Sequence, residues 1–316
     1  MRVLITGARG FIGRHLTRAL LQQPGEAQIV ALDVSPPAGP PSSRVTDVTG
    51  DATDASVLRA LFARPFDRVF ALGATLTQQA EADFERGLQV NVMGMLQLID
   101  ACRQQPRAPR LLFSSSIAAF GGALPETVDD EVARTPLTSY GTHKAVVELL
   151  LNDASRKGFV DGRALRLPIV LTRPGPPVAS VSDRVASLVR EPLRGVDTVC
   201  PLAPETRMVV SSVQAVARAL LCLADAPVDA VGAFRTMNLP SLSVRVGELI
   251  DAVAAVPQRR GSPTALGRTH WQPDAALQAI VEQWPQRFDS APARALGLSG
   301  SVSLDALIDD HLDATA

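Results

Sequence analysis

Three glycines at positions 7, 10 and 13 constrain this chain more than any other feature, because of what flanks them. Before them, residues 3–6 are apolar or β-branched and read as a strand. After them, residues 12–21 repeat apolar side chains at helical spacing. A chain that turns from strand to helix through Gly7-Ala8-Arg9-Gly10-Phe11-Ile12-Gly13 uses each glycine differently. The first permits the tight turn, the second lets backbone approach a ligand, and the third lets helix pack on strand. Such a loop offers free N–H groups and the positive end of the helix dipole to an anion. Gly7, Gly10, Phe11, Ile12 and Gly13 are therefore expected to cradle a pyrophosphate.

The alternation continues. Apolar runs at 29–32, 68–72 and 110–113 read as further strands, separated by helical patterns such as 88–102. This predicts a Rossmann-type α/β fold, a doubly wound parallel sheet covered on both faces. Residues 36–43 read as a loop, 139–152 as a helix and 164–171 as another buried strand. After residue 173 the pattern changes, and Pro174-Gly175-Pro176-Pro177 breaks the chain. The expected organisation is a nucleotide-binding domain over 1–172 and a smaller substrate-binding lobe built mainly from 173–316. A strand at 234–239 suggests that the chain returns to the main sheet around 208–240. No internal repeat is present.

Asp33 stands twenty residues beyond Gly13, at the end of the second run. An acid there accepts bonds from the hydroxyls of an adenosine ribose and repels a 2′-phosphate, which favours NAD over NADP. Arg9, inside the loop, leaves a phosphate tolerable. Asp51 and Ala52, after the third strand, are placed to meet the adenine edge.

With 46% hydrophobic and 20% charged residues and a formal net charge of −1, nothing marks a nucleic-acid or anionic-membrane partner. No apolar run reaches the ~18–20 residues that span a bilayer. The first residues lack the pattern of a signal peptide. Cys102, Cys200 and Cys222 are too scattered for a disulfide framework, and the four histidines show no metal-ligand spacing with them. A cytoplasmic chain without a metal is expected.

Tyr140-Gly141-Thr142-His143-Lys144 carries the chemistry. Tyr-x-x-x-Lys sets both side chains on one helix face, one turn apart. A nearby ammonium favours the phenolate, as does the positive nicotinamide ring of NAD⁺. Tyr140, the one tyrosine in the chain, is then able to take a proton from a substrate hydroxyl. Ser114-Ser115-Ser116 ends the strand beginning at 110, where a hydroxyl faces the ligand crevice of an open α/β sheet.

Together the 6–13 loop, Asp33, Asn91, the 114–121 stretch and Tyr140 with Lys144 resemble the extended short-chain dehydrogenase/reductases, the NAD-dependent epimerase/dehydratase family. Carried over by position, the resemblance implies Ser116, Tyr140 and Lys144 as catalytic residues. Lys144 would also bind the nicotinamide ribose. Leu72, Gly73, Ala74, Asn91, Ser114, Pro168, Ile169 and Val170 are implied to line the cofactor. Ala71-Leu72-Gly73-Ala74 departs from the family's frequent His-Leu-Ala-Ala. Ser116-Ile117-Ala118 lacks the acid pair of the 4,6-dehydratases, so dehydration is not expected. The stretches 120–126, 158–168, 200–201 and 205–208 resemble family members that oxidise the C2 hydroxyl of a four-carbon sugar acid. Such a carboxylate needs a cation, for which Arg173 and Arg207 are the candidates. Thr75 and Thr77 are candidates for hydroxyl recognition. The family also suggests a homodimer through the helices at 88–102 and 146–151. Two alternatives stand beside the dehydrogenase: a nucleotide-sugar epimerase with the same three residues, and a non-catalytic NAD-binding sensor.

Overall fold

Val3, Leu4 and Ile5 are each 0% exposed, which requires apolar cover on both faces of the strand that holds them. The computed structural model describes residues 1–37, 42–171, 180–261 and 265–315. Its strands, in chain order, are β1 (Arg2–Thr6), β2 (Gln28–Asp33), β3 (Val45–Thr49), β4 (Arg68–Ala71), β5 (Arg110–Ser116) and β6 (Asp161–Leu167). There follow β7 (Ile169–Leu171), β8 (Thr198–Cys200), β9 (Arg207–Ser212), β10 (Thr236–Asn238), β11 (Leu242–Arg245) and β12 (Thr269–Trp271). Seven of them form one sheet in the order β10, β6, β5, β4, β1, β2, β3, every pair parallel. Winding reverses between β1 and β4, the place where such sheets open a crevice beyond their carboxyl ends.

The helices that cover this sheet are α1 (Phe11–Gln22), α2 (Ala55–Phe62), α3 (Thr77–Ala82), α4 (Phe84–Leu88), α5 (Gly94–Arg103), α6 (Ser139–Arg156), α7 (Val181–Leu193) and α8 (Val213–Asp225), with α7 lying over the smaller sheet. On one face Leu16 and Leu20 of α1 and Leu220 of α8 pack on Val3, Ile5 and Ile29. On the other, Leu98 of α5 with Val147 and Leu151 of α6 pack on Leu4, Val69 and Leu111.

Two expected elements are divided. The run 164–171 supplies two strands, because Pro168 separates β6 from β7. Proline lacks the N–H a ladder needs, and β7 pairs instead with β9 in a three-stranded sheet ordered β11, β9, β7. The run 88–102 is interrupted by a π-helical turn, Gln89–Met93, between α4 and α5. Around the smaller sheet Val185, Met208, Val210, Leu249 and Phe288 form a separate core. The chain re-enters the main sheet through α8, which packs beside α1, and through β10, level with Ala164–Arg166. The proline-rich break at 174–177 lies outside the described residues. Among the described residues no helix is long and apolar enough to cross a membrane, and no cluster of metal-binding side chains occurs.

Candidate active site and its relatives

Thr138 begins the site by ending a loop: its Oγ1 accepts from Gly141 N at 3.1 Å and fixes the first turn of α6. Tyr140 falls in that turn and Lys144 one turn on, both facing the end of β5. Lys144 is 3% exposed. Its Nζ donates to Ser114 O at 2.7 Å and lies 5.3 Å from the centre of the Tyr140 ring. The Phe113 ring lies 4.5 Å from the same nitrogen. Ser116 lines the same cavity as Tyr140 and Lys144, and its Oγ accepts from Ala118 N at 3.1 Å. The triad expected from sequence is thus assembled in space.

The protonation states differ from expectation. Burial pushes the Tyr140 phenol up to about 12, with the Ser116 hydrogen bond working downward. Burial brings the Lys144 ammonium down to about 7, with the Glu148 carboxylate working upward. The protein's own groups therefore favour the neutral forms of both, because desolvation penalises either charge. The lowering of Tyr140 expected from its lysine does not emerge from these groups alone.

Both residues face a cavity of about 620 Å³ at the winding reversal, a volume usual for a bound small molecule. Its wall includes Gly7, Gly10, Phe11, Ile12 and Gly13, then Asp33, Asp51 and Ala52, then Leu72, Gly73, Ala74, Thr75 and Thr77. Asn91, Ser114, Ser116, Pro168, Ile169 and Val170 complete the expected set. Arg207 is not part of it. β9 sets Val210 level with Ile169, so Arg207 lies three residues, roughly 10 Å, away along the strand. Arg173 lies outside the described residues. Sequence reading missed Ser180, Ser182 and Asp183 at the start of α7, Gln79 and Arg86, and Trp284. Ser180-Val-Ser-Asp183 had a signal, a capping serine followed by an acid; Ser180 Oγ accepts from Asp183 N at 3.1 Å. Trp284 follows a helix far along the chain and gave none.

The nucleotide end fits a dinucleotide. Gly7 has φ +67°, and a Cβ there would come within 2.6 Å of Gly73 N; at Gly13 it would meet Gly7 O at 2.3 Å. Gly10 caps α1 without a side chain, which leaves the first helical amides to an anion. Asp33 accepts from Arg9 N at 2.9 Å and Ser35 N at 3.0 Å, one bond on each oxygen, so each retains a lone pair for a ribose hydroxyl. The Arg9 guanidinium is held by Ser35 O and by Asp47, the latter at 2.9 Å. Thr75 Oγ1 is buried and without a hydrogen-bond partner among the described residues, an unmet polar group on the cavity wall.

Residues 3–235 match the model of the NAD dependent epimerase/dehydratase family. The chain belongs to that family. NAD is the cofactor of the enzyme, and the cradle just described is where it fits. Two relatives named D-erythronate dehydrogenase extend the match. The Cupriavidus necator protein is 41% identical, over 99% of this chain and 98% of its own length. The Haemophilus influenzae protein is 35% identical over 99% of both. A solved structure described as a nucleoside-diphosphate-sugar epimerase, from Agrobacterium tumefaciens, superposes with a TM-score of 0.89 at 34% identity, covering 99% of this chain and 94% of that one. With dehydrogenases as full-length relatives, this family member is an NAD-dependent oxidoreductase.

Proposed function

We propose that the enzyme oxidises the C2 hydroxyl of a D-erythronate-like, four-carbon sugar acid to the 2-keto acid. The observation that carries this reading is the convergence of Ser116, Tyr140 and a buried Lys144 on one cavity, in a chain whose full-length relatives carry that name.

Bound NAD⁺ supplies the acceptor for the hydride that leaves C2 with both bonding electrons. Tyr140 acts in oxidation as its phenolate, a form that its burial disfavours and that the positive nicotinamide ring favours; it receives the hydroxyl proton as the C=O bond forms and returns it in the reverse reaction. Ser116 Oγ donates to the substrate oxygen and holds it within reach of Tyr140. Lys144 governs the charge state of Tyr140 and, through Ser114 O, keeps α6 locked to β5. Gly7, Gly10 and Gly13 would hold the pyrophosphate, Asp33 the adenosine ribose, and Asp51 with Ala52 the adenine edge. Leu72, Gly73 and Ala74 would line the cofactor, and Pro168, Ile169 and Val170 would lie beside the nicotinamide. The hydroxyls of Thr75, Thr77, Ser180 and Ser182 suit a polyol chain. Of the two arginines considered for the carboxylate, Arg207 stands off the wall and Arg173 lies outside the described residues.

The description of the Agrobacterium structure favours a second reading, a nucleotide-sugar epimerase using the same three residues. An epimerase returns its hydride and accumulates no NADH. The deciding experiment follows NADH absorbance with NAD⁺ and a panel of four-carbon acids, D-erythronate and both threonates included. A steady rise with one acid supports the dehydrogenase; silence with all of them, and turnover of UDP-sugars, supports the epimerase. A pure NAD-binding sensor predicts that Tyr140→Phe changes nothing measurable.

The same reading includes a homodimer. Met93, Leu96, Val146 and Leu149, on the π-helical turn, α5 and α6, are all exposed, and a second copy of this chain is the partner that suits such a two-helix face.

A further inference from the structure

We propose that His143 is a positioning residue: its Nδ1 accepts from the Asn91 amide, and through it holds the Thr75 segment of the cavity wall until the ring is protonated. The polarity of this chain of contacts is compulsory. Thr75 N can only donate, and it does so to Asn91 Oδ1 at 2.9 Å. That fixes the other end of the Asn91 amide as Nδ2, which donates to Thr75 O at 3.1 Å. The second hydrogen of Nδ2 points to His143 Nδ1 at 3.3 Å. An NH₂ group only donates, so Nδ1 must be bare and the imidazole proton must sit on Nε2. Protonating the ring would set two donors against each other.

The surroundings are built for this contact. Asn91 lies buried in the π-helical turn, a feature that recurs at functional sites. Asn91 and His143 are 6% and 3% exposed, so neither has ready access to water as a substitute partner. On α4, Phe84 lies 6.3 Å from the imidazole, and Gly87 leaves room for it, since a Cβ there would stand 3.2 Å from His143 Cε1. His143 adjoins Lys144 in sequence and also lines a surface cleft of about 470 Å³ with Phe84, Leu88 and Val146. The device thus ties the helix that carries Tyr140 and Lys144 to the opposite wall of the cavity.

Burial lowers the His143 pKa from the usual 6.5; the Lys144 ammonium works the same way and the Glu81 carboxylate of α3 against it. The neighbours on α4 and the π-helical turn, Phe84, Gly87 and Asn91, carry no charge. A lowered value means that the neutral, accepting form holds above it, and the wall is released as pH falls through it. Lys144, at about 7, is already charged in that range and adds no further change there.

The inference rests on the cavity being the NAD site, which NADH binding to the unaltered protein tests separately. NADH dissociation constants are measured by fluorescence from about pH 8 to about pH 5. The wild type should lose affinity as pH falls through the His143 value, which lies below the usual 6.5. His143→Gln, which keeps an acceptor but cannot titrate, should follow the wild type through the Lys144 transition near pH 7 and lack the further loss on acidification. His143→Leu should bind about tenfold more weakly throughout, the loss of one buried hydrogen bond. In the unaltered protein, ¹⁵N-histidine NMR should show His143 Nδ1 bare and Nε2 protonated at pH 8. A proton on Nδ1, or the same acid loss in His143→Gln, overturns the proposal; no NADH binding by the wild type overturns the reading of the cavity instead.

Discussion

Glu148 and Arg166 meet in a two-bond pair, Nε to Oε1 and Nη2 to Oε2, each 2.9 Å long, with both side chains 1% exposed. Glu148 stands one turn beyond Lys144 on α6, and its Oε1 also accepts from Ser115 Oγ. Arg166, on β6, donates in addition to Asn238 Oδ1 at 3.1 Å. Removing one member of such a pair strands a buried charge. Glu148→Ala should therefore lower stability by roughly 3–5 kcal/mol, read from urea denaturation; an unchanged midpoint would mean that water replaces the carboxylate without cost.

Tyr140→Phe removes the hydroxyl to which we assign the proton transfer and leaves the cavity's shape intact. Turnover should fall about 10²–10⁴-fold, the usual range for a lost general acid–base group, while NADH still binds with wild-type affinity. Paired fluorescence titration and initial-rate assays test both halves. Equal losses in binding and turnover would point to a structural role.

Oxidation requires a group able to take a proton, and reduction a group that holds one. Tyr140, pushed up to about 12, keeps its proton in the neutral range, whereas Lys144, brought down to about 7, releases one as pH rises through that value. Oxidation of the sugar acid should accelerate with rising pH, and reduction of the keto acid should slow. Glu148 works to raise Lys144, so Glu148→Gln should move the midpoint of both profiles to lower pH. The profiles report the coupled pair rather than either residue alone. A midpoint unmoved by Glu148→Gln would exclude Lys144 as the titrating group.

The discrimination between cofactors that we assign to Asp33 rests on its charge. Asp33→Asn removes the repulsion toward a 2′-phosphate and weakens the grip on ribose hydroxyls. Charged hydrogen bonds of this kind contribute about 1.5–3 kcal/mol. The kcat/KM with NAD should drop at least tenfold, and that with NADP should rise. Steady-state rates with both cofactors decide the matter, and an NADP rate that stays flat would place the discrimination elsewhere.

Leu149 is 58% exposed on α6. Leu149→Glu introduces a charge into the face assigned to a second copy, and should convert a dimer into a folded monomer by light scattering. An unaltered mass in solution would remove this face from the interface.

The nucleotide end was legible in the sequence because its parts are local. Gly7, Gly10 and Gly13 lie within one turn, Asp33 follows at a fixed distance, and Tyr140 and Lys144 share a helix face. Each carries its geometry in its spacing. What the sequence concealed depends on segments far apart. Trp284 reaches the cavity from the last fifth of the chain, and nothing near it differs from an ordinary helix end. Arg207 looked suitable by position, but the parallel register of β9 on β7 carries it down the strand and away from the wall. His143 carried no signal of its own in the sequence; its contact with Asn91 spans 52 positions, and the π-helical turn that holds Asn91 is not announced by periodicity. Pro168 was visible, yet the new sheet entered beyond it was not.

The pairing of β6 with β10 also has a cost during synthesis. Arg166 and Asn238 are 72 positions apart. A ribosome adding about 5–20 residues each second therefore leaves the open side of β6 without its neighbour for roughly 4–14 s. For that interval the nascent chain presents Ala164 and Leu165 on a bare sheet margin, the kind of surface that pairs with other chains. A fragment ending at residue 172 would hold that margin open indefinitely, so it should be recovered as aggregate, although it contains every glycine of the cradle and all three residues assigned to catalysis.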